Sequence, residues 1–156
     1  MGIAANIDTK LAEMGLALPE APKPAANYEP FVIHDGLLHV SGQISAGPDG
    51  LITGRLGDNM TTEEGAKAAR ACALSLLAQA RAACDGDLDR VVRLVKLTGF
   101  VACTPDFTEQ PKVINGASDL MAELLGEAGR HARAAVGVAA LPLGVAVEVE
   151  AVFALA

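Results

Sequence analysis

Two segments near the carboxyl terminus, residues 132–140 and 145–155, constrain the fold more than any other feature of this sequence. Both are rich in apolar residues, and successive side chains of a β-strand point to opposite faces of a sheet. In the second segment, Glu148 and Glu150 share one face. The other face is entirely apolar and consists of Val147, Val149, Ala151 and Phe153. The alternation therefore predicts a strand with one face in the core and one face that carries charge.

The first segment also divides its side chains between two faces, which differ mainly in size. The bulkier face, which we expect to lie under the helices, consists of Ala134, Val136 and Val138. The opposite face holds Arg133 with the small residues Ala135, Gly137 and Ala139. Because a face built from such small side chains cannot cover itself, we expect it to meet another copy of the chain in a closed, cyclic homo-oligomer.

A hairpin that turns near Leu141–Pro142 would place Arg133 on the same face as Glu148 and Glu150. Two interpretations of these charges are open. The first is a cross-strand ion pair that offsets its own desolvation and has no further role. The second is a guanidinium that binds a ligand carboxylate with its planar fork, next to a carboxylate that transfers protons.

The longest helix is predicted in the middle of the chain. Thr61 or Thr62 begins a capping pattern with Glu64 in the first turn. Alanine and leucine then recur at helical spacing, and Asp85-Gly86 ends the helix. A second helix begins at Pro111, since proline is tolerated in the first turn, and its apolar stripe continues to residue 125.

Strand-like segments surround these helices. Two apolar runs separated by the tight-turn signal His34–Gly36 predict an early hairpin, and residues 91–103 predict a central strand. The resulting order is β-β-α-β-α-β-β. It predicts an α+β fold with a mixed β-sheet and two helices on one face.

The amino-terminal part differs in composition from the rest. Residues 6–18 predict a short helix that Asp8 or Thr9 would cap. A proline-rich stretch follows and predicts an extended arm. We therefore divide the chain into an amino-terminal helix and arm, residues 1–27, and one domain over residues 28–156.

Charge and composition exclude several classes of function. The net charge is −7 and only 3% of the residues are aromatic, which argues against nucleic acid as a partner, because phosphate contacts need clustered Lys and Arg. No apolar run is long enough to span a membrane. The three cysteines and three histidines match no metal-binding spacing. We expect reduced thiols, no signal peptide and a cytoplasmic location.

Four motifs together resemble the YjgF/reactive-intermediate deaminase (Rid) family. They are "HVSGQIS" near residue 40, "VKLTGFVACTPDF" from residue 95, "VINGASDL" from residue 113 and "HARAAVGVAALPLGVAVEVEAV" from residue 131. The resemblance covers roughly residues 24–154. It implies a chorismate-mutase-like fold, a homotrimer with clefts at the subunit interfaces, and hydrolysis of 2-imino (enamine) acids to 2-keto acids and ammonia without a metal or organic cofactor.

The resemblance also assigns site residues. Arg133 corresponds to the carboxylate-binding arginine, and Glu148 to the glutamate that orients or activates water. The residues that it implies for substrate binding are Tyr28, Ser41, Gly42 and Asn115. The chemistry suits these residues, because a 2-imino acid carries a carboxylate that arginine can hold while water approaches the imine carbon.

The chain departs from the family pattern close to the arginine. His131 stands where the family usually has proline, and Ala135 stands where active members often have cysteine. His131 is either a further ligand or acid/base contact or a histidine bonded to the backbone where the strand begins. We keep both residues as candidates for the substrate-binding site.

Three functions follow from these observations. The first is an imine/enamine deaminase that works at subunit interfaces. The second is a non-catalytic trimer that binds small carboxylic metabolites as a sensor or accessory protein. The third is the ribonuclease activity of some relatives, against which the net charge of −7 counts.

Overall fold

The structure, a computed structural model, describes residues 3–24 and 26–156. Three α-helices and seven β-strands are present in this part of the chain, with short 3₁₀ turns between several of them. The helices are α1 (Ile3–Glu13), α2 (Thr62–Ala83) and α3 (Gln110–Leu125). The strands are β1 (Phe31–His34), β2 (Leu37–Ile44), β3 (Ala46–Gly47), β4 (Gly50–Leu51), β5 (Val91–Ala102), β6 (Ala132–Val138) and β7 (Val147–Leu155).

Five strands form one mixed sheet in the order β1-β2-β7-β5-β6, which confirms the predicted α+β class. Only β5 and β6 run parallel, and all other neighbours in this sheet are antiparallel. The predicted turn between β1 and β2 is confirmed, because Asp35 and Gly36 both have positive φ angles, of 50° and 77°. That backbone matches the twist of a tight hairpin.

The predicted ends of α2 are confirmed. The Thr61 side chain accepts a hydrogen bond from the Glu64 backbone N–H at 3.2 Å, and its hydroxyl lies 3.1 Å from the Glu64 carboxylate. Asp85 and Gly86 follow the helix with φ angles of 53° and 88°, so the chain leaves the helix through two left-handed residues.

Helices α2 and α3 cover one face of the sheet and pack closely on each other. A Cβ atom added to Gly116 of α3 would lie 1.9 Å from the backbone oxygen of Ala66 of α2. The core between helices and sheet includes the predicted apolar face of β7, with Phe153 fully buried. The cysteines, Cys72, Cys84 and Cys103, are buried and unpaired.

A third helix, α1, joins this layer, whereas the sequence predicted two. Ile7 and Leu11 are buried in the same core, and Asp8 pairs with Arg81 of α2 at 2.5 Å. Because α1 begins at Ile3, the predicted cap at Asp8 or Thr9 is wrong. Within the described ranges, no helix is both long and apolar enough to cross a bilayer.

The predicted hairpin of the last two strands is wrong, because β5 lies between β6 and β7. Arg133 is the partner of Leu97 on β5, which in turn is the partner of Ala151 on β7. Paired residues share a face, and both of these partners are buried. Arg133 therefore lies on the helix-covered face.

The predicted faces of β6 are consequently reversed. Val136 pairs with Phe100, which pairs with Glu148, so these three residues share the face without helices. Val136 is 44% exposed and not buried under the helices as predicted. The assignment for β7 is confirmed, since Glu148 and Glu150 lie on the face opposite Val147 and Val149.

Candidate functional site

The sequence-predicted site residues form two groups. Tyr28, Gly42 and Glu148 line one cleft of about 620 Å³. His131 and Arg133 line another, of about 350 Å³. The first cleft is bounded by the arm, the β2 bulge and the turn before β7, and the second by α3 and the start of β6.

A β-bulge shapes the first cleft. The register of β2 against β7 shifts between Val40 and Gln43, so that Ser41 and Gly42 together oppose one residue of β7, Glu150. A Cβ atom at Gly42 would lie 2.3 Å from the Glu148 carboxylate oxygen Oε2. Glycine at this position therefore makes the room in which the carboxylate lies.

Ser41 fixes the segment that carries Tyr28. Its hydroxyl donates to the Glu29 carbonyl at 2.6 Å, and its backbone N–H donates to the Pro30 carbonyl at 2.9 Å. Tyr28 is 50% exposed at the cleft. The hydroxyl of Ser41 thus holds the cleft wall and is already engaged with the backbone.

Sequence reasoning missed the role of the glutamine in the "SGQ" motif. Gln43 is buried and donates to the Ser41 carbonyl at 2.8 Å. It accepts a hydrogen bond at 3.3 Å from Gln79 of α2, which also donates to the Pro22 carbonyl at 2.6 Å. The network ties the proline-rich arm to the bulge, and two glutamines in otherwise apolar stretches were the signal for it.

The surroundings of Glu148 favour the protonated form of its carboxyl. Burial raises the pKa of its carboxyl, and the negative charge of nearby Glu150 raises it further. A carboxylate with a raised pKa takes up a proton more readily than an ordinary glutamate. Glu148 is therefore suited to take a proton from water.

Glu148→Gln is expected to raise the free energy of unfolding at neutral pH. Because the folded pKa lies above the ordinary value of 4.5, the carboxyl contributes stability that is complete below that pH. This stability is lost as the pH rises through the folded pKa. Glutamine has no charge to desolvate, so the variant gains its advantage only above about pH 4.5.

Urea unfolding at pH 4 and pH 7 measures this difference. The advantage of Glu148→Gln over wild type is expected at pH 7 and not at pH 4. The exposed Glu123 of α3 offers a control, and Glu123→Gln is expected to change little at either pH. An equal advantage of Glu148→Gln at both pH values would contradict the raised pKa.

The second group is built around Arg133. Its Nη1 donates to the Asn115 side-chain oxygen at 2.8 Å and to the Ser118 hydroxyl at 3.2 Å. Its Nη2 donates to the Pro111 carbonyl at 3.5 Å. Asn115 and Arg133, both candidates from the sequence, are thus in direct contact, and within the described residues Nε has no hydrogen-bond partner.

Two neighbours complete this group. Ala135 lies one strand repeat beyond Arg133 on the same face, paired with Gly99 of β5, and packs against the core. Ser118, which sequence reasoning missed, contacts both Arg133 and His131. The signal was available, because Asn115 and Ser118 lie three residues apart on one helix face.

Within one chain, the two groups are far apart. Arg133 and Glu148 lie on opposite faces of the sheet, with β5 between their strands. Two strand spacings separate them laterally by roughly 10 Å. A single chain therefore cannot bring the arginine and the glutamate to one small ligand.

Comparisons with known proteins agree with this architecture. Residues 8–155 match the family described as "YjgF/chorismate mutase-like, putative endoribonuclease". The protein TCP17 of Trypanosoma cruzi is 53% identical over 155 residues, covering 98% of this chain and 94% of its own length. The fold is thus shared over nearly the whole length of both proteins.

Two solved structures show how closely the fold is shared. The Agrobacterium tumefaciens protein Atu1372, described as of unknown function, is 46% identical, with a TM-score of 0.91 over 99% of this chain and 95% of that one. RidA from the Antarctic bacterium Psychrobacter is 28% identical, with a TM-score of 0.59 over 87% and 94%. Since the family match and these relatives extend over almost all of its residues, the chain belongs to the YjgF family.

Proposed function

We propose that this protein hydrolyses reactive 2-imino acids to 2-keto acids and ammonia in clefts between the subunits of a homotrimer. The observation that carries the proposal is that the chain presents two unlike groups, each at its own cleft. One is an arginine with unused donors, and the other is a glutamate with a raised pKa. A carboxylate-bearing imine needs both, because one holds its charge and the other activates water.

The proposed reaction uses only these side chains and water. Arg133 binds the substrate carboxylate and fixes the imine carbon. Glu148 takes a proton from water as the oxygen adds to that carbon. The same proton then goes to the nitrogen, which gives a carbinolamine. Glu148 next carries the hydroxyl proton of this intermediate to the amino group, the C–N bond breaks, and ammonia leaves as the carbonyl forms. Atoms balance as one imine and one water give one keto acid and one ammonia.

The position of the two groups supports a site between subunits. Arg133 and Glu148 lie on opposite faces of one sheet, so a complete site needs the arginine of one chain and the glutamate of another. Such a head-to-tail contact repeats around a rotation axis and closes into a ring. The resemblance to the Rid family supports a ring of three.

The test is the loss of 2-iminopropanoate generated in solution by an amino-acid oxidase. Wild type is expected to accelerate this loss over free hydrolysis, and Arg133→Ala to reduce kcat/KM by about a hundredfold, since positioning errors cost about that much. Arg70→Ala on α2 is the control, because Arg70 lines neither cleft. A wild type no faster than free hydrolysis rules out the deaminase.

The same assay, together with a measurement of thermal stability, distinguishes a deaminase from a protein that only binds carboxylates. If keto acids raise the thermal stability of the protein while imine loss is not accelerated, the protein binds small carboxylates without turnover. Ribonuclease activity has the family description and the description of some similar structures in its favour, but the net charge of −7 opposes binding to a phosphate backbone.

A further inference from the structure

His131, Ser118 and Arg133 form a chain of hydrogen bonds with one direction. The His131 Nδ1 atom lies 2.6 Å from the Gly129 carbonyl oxygen, which can only accept, so Nδ1 carries the hydrogen. In the neutral ring, Nε2 is then the acceptor, and it lies 2.9 Å from the Ser118 hydroxyl. The Ser118 hydroxyl donates to this nitrogen.

This series of hydrogen bonds ends on the guanidinium of Arg133. With its hydrogen directed at His131, the Ser118 oxygen presents its lone pairs to Arg133 Nη1, 3.2 Å away. Asn115 accepts the other bond from Nη1 at 2.8 Å. Both hydrogens of Nη1 are therefore held by α3, and the guanidinium plane is fixed at that end.

We infer that Ser118 and His131 are positioning residues for Arg133, which hold its guanidinium so that Nε and Nη2 face a ligand carboxylate. These two nitrogens form a parallel pair of donors that suits bidentate binding. Nη2 has only one long contact, of 3.5 Å, to the Pro111 carbonyl. The inference rests on the proposed function, because it assumes that Arg133 binds the substrate carboxylate.

Positioning matters here because Arg133 lies on an edge strand. Among the residues that the structure describes, strand β6 has a neighbour on one side only, and Arg133 is partly buried. A long arginine side chain loses conformational freedom when it binds a ligand. Fixing it beforehand lowers that loss and strengthens binding. His131 thus acts through Ser118 and need not touch the substrate.

The test uses pyruvate as the probe and the assembled full-length protein. Affinity is measured by isothermal titration calorimetry for wild type, Ser118→Ala and His131→Ala. Each variant is expected to weaken pyruvate binding about tenfold, as expected for a lost hydrogen bond that bears on a charged group. In the imine assay, KM is expected to rise by a similar factor while kcat stays within about twofold.

Conservative variants and a double variant separate positioning from general damage. Ser118→Thr keeps the hydroxyl and His131→Gln keeps an acceptor near the Nε2 position, so both are expected to retain most of the affinity. The double variant Ser118→Ala/His131→Ala is expected to bind as weakly as either single variant, since residues that act as one unit are not additive. If Ser118→Ala does not fold, His131→Ala tests the same link.

The outcomes distinguish this inference from the proposed function. If Arg133→Ala loses pyruvate binding while Ser118→Ala and His131→Ala bind like wild type, the positioning role is wrong and the proposed function stands. If the single variants lose affinity as expected but no form of the protein accelerates imine loss, the positioning role stands and the deaminase is wrong. If Arg133→Ala binds pyruvate like wild type, both are wrong.

Discussion

A mixture of Arg133→Ala and Glu148→Gln subunits is expected to hydrolyse imines at about a quarter of the wild-type rate, although each variant alone is expected to retain only about a hundredth of it. In the proposed trimer, each cleft takes its arginine from one chain and its glutamate from the next. In an equal random mixture, a cleft has an intact arginine half of the time and an intact glutamate half of the time. About one cleft in four is then complete.

Joint refolding of the two variants from denaturant produces the mixed trimers, and the 2-iminopropanoate assay measures their rate. Mixing Arg133→Ala with the double variant Arg133→Ala/Glu148→Gln is the control, because that mixture contains no arginine at position 133. A mixture of the single variants with no more activity than this control would place both groups of each site in one chain. The separation of Arg133 and Glu148 across the sheet would then be wrong.

Gly116→Ala is expected to lower the free energy of unfolding by about 3 kcal/mol, at the upper end of what overpacking costs. The added methyl group would lie 1.9 Å from the Ala66 backbone oxygen, and a backbone cannot move aside as a side-chain tip can. Alanine normally stabilises a helix by nearly 1 kcal/mol relative to glycine. The clash is therefore expected to destabilise the protein, whereas helix propensity alone would predict that Gly116→Ala stabilises it.

Urea unfolding measures this effect, with Glu123→Ala as the control on the exposed side of the same helix. The control is expected to stay within about 0.5 kcal/mol of wild type, as surface substitutions usually do. A Gly116→Ala variant more stable than wild type would show that α2 and α3 do not touch at this point. Because Asn115 precedes Gly116, the same contact sets the distance from α3 to Arg133.

The sequence predicted the local structure well where the signal is short-ranged. The cap at Thr61, the left-handed turn at Asp35-Gly36 and the apolar face of β7 each depend on residues close in the chain. The faces of β6 were predicted wrongly because the face with the larger side chains, Val136 and Val138, was taken as the buried one. Which face is buried was decided by the parallel pairing with β5, and that contact is distant in sequence.

The candidate site was predicted as a set of residues but not as an arrangement. Alternation and the family resemblance selected Arg133 and Glu148, yet a hairpin was assumed to bring them together. Inserting β5 between their strands separates them. Ser118 was not selected because a serine inside a helix is ordinary until the fold brings His131 to within 2.9 Å of it.

The outer edge of β6 makes an unassembled chain vulnerable. Within residues 3–24 and 26–156, no strand lies beside its backbone N–H and C=O groups on that side, and Arg133 is the only charged residue along its seven residues. Edges of this kind pair readily with other strands, including wrong ones. If the proposed trimer covers this edge, its assembly would also protect the chain from aggregation.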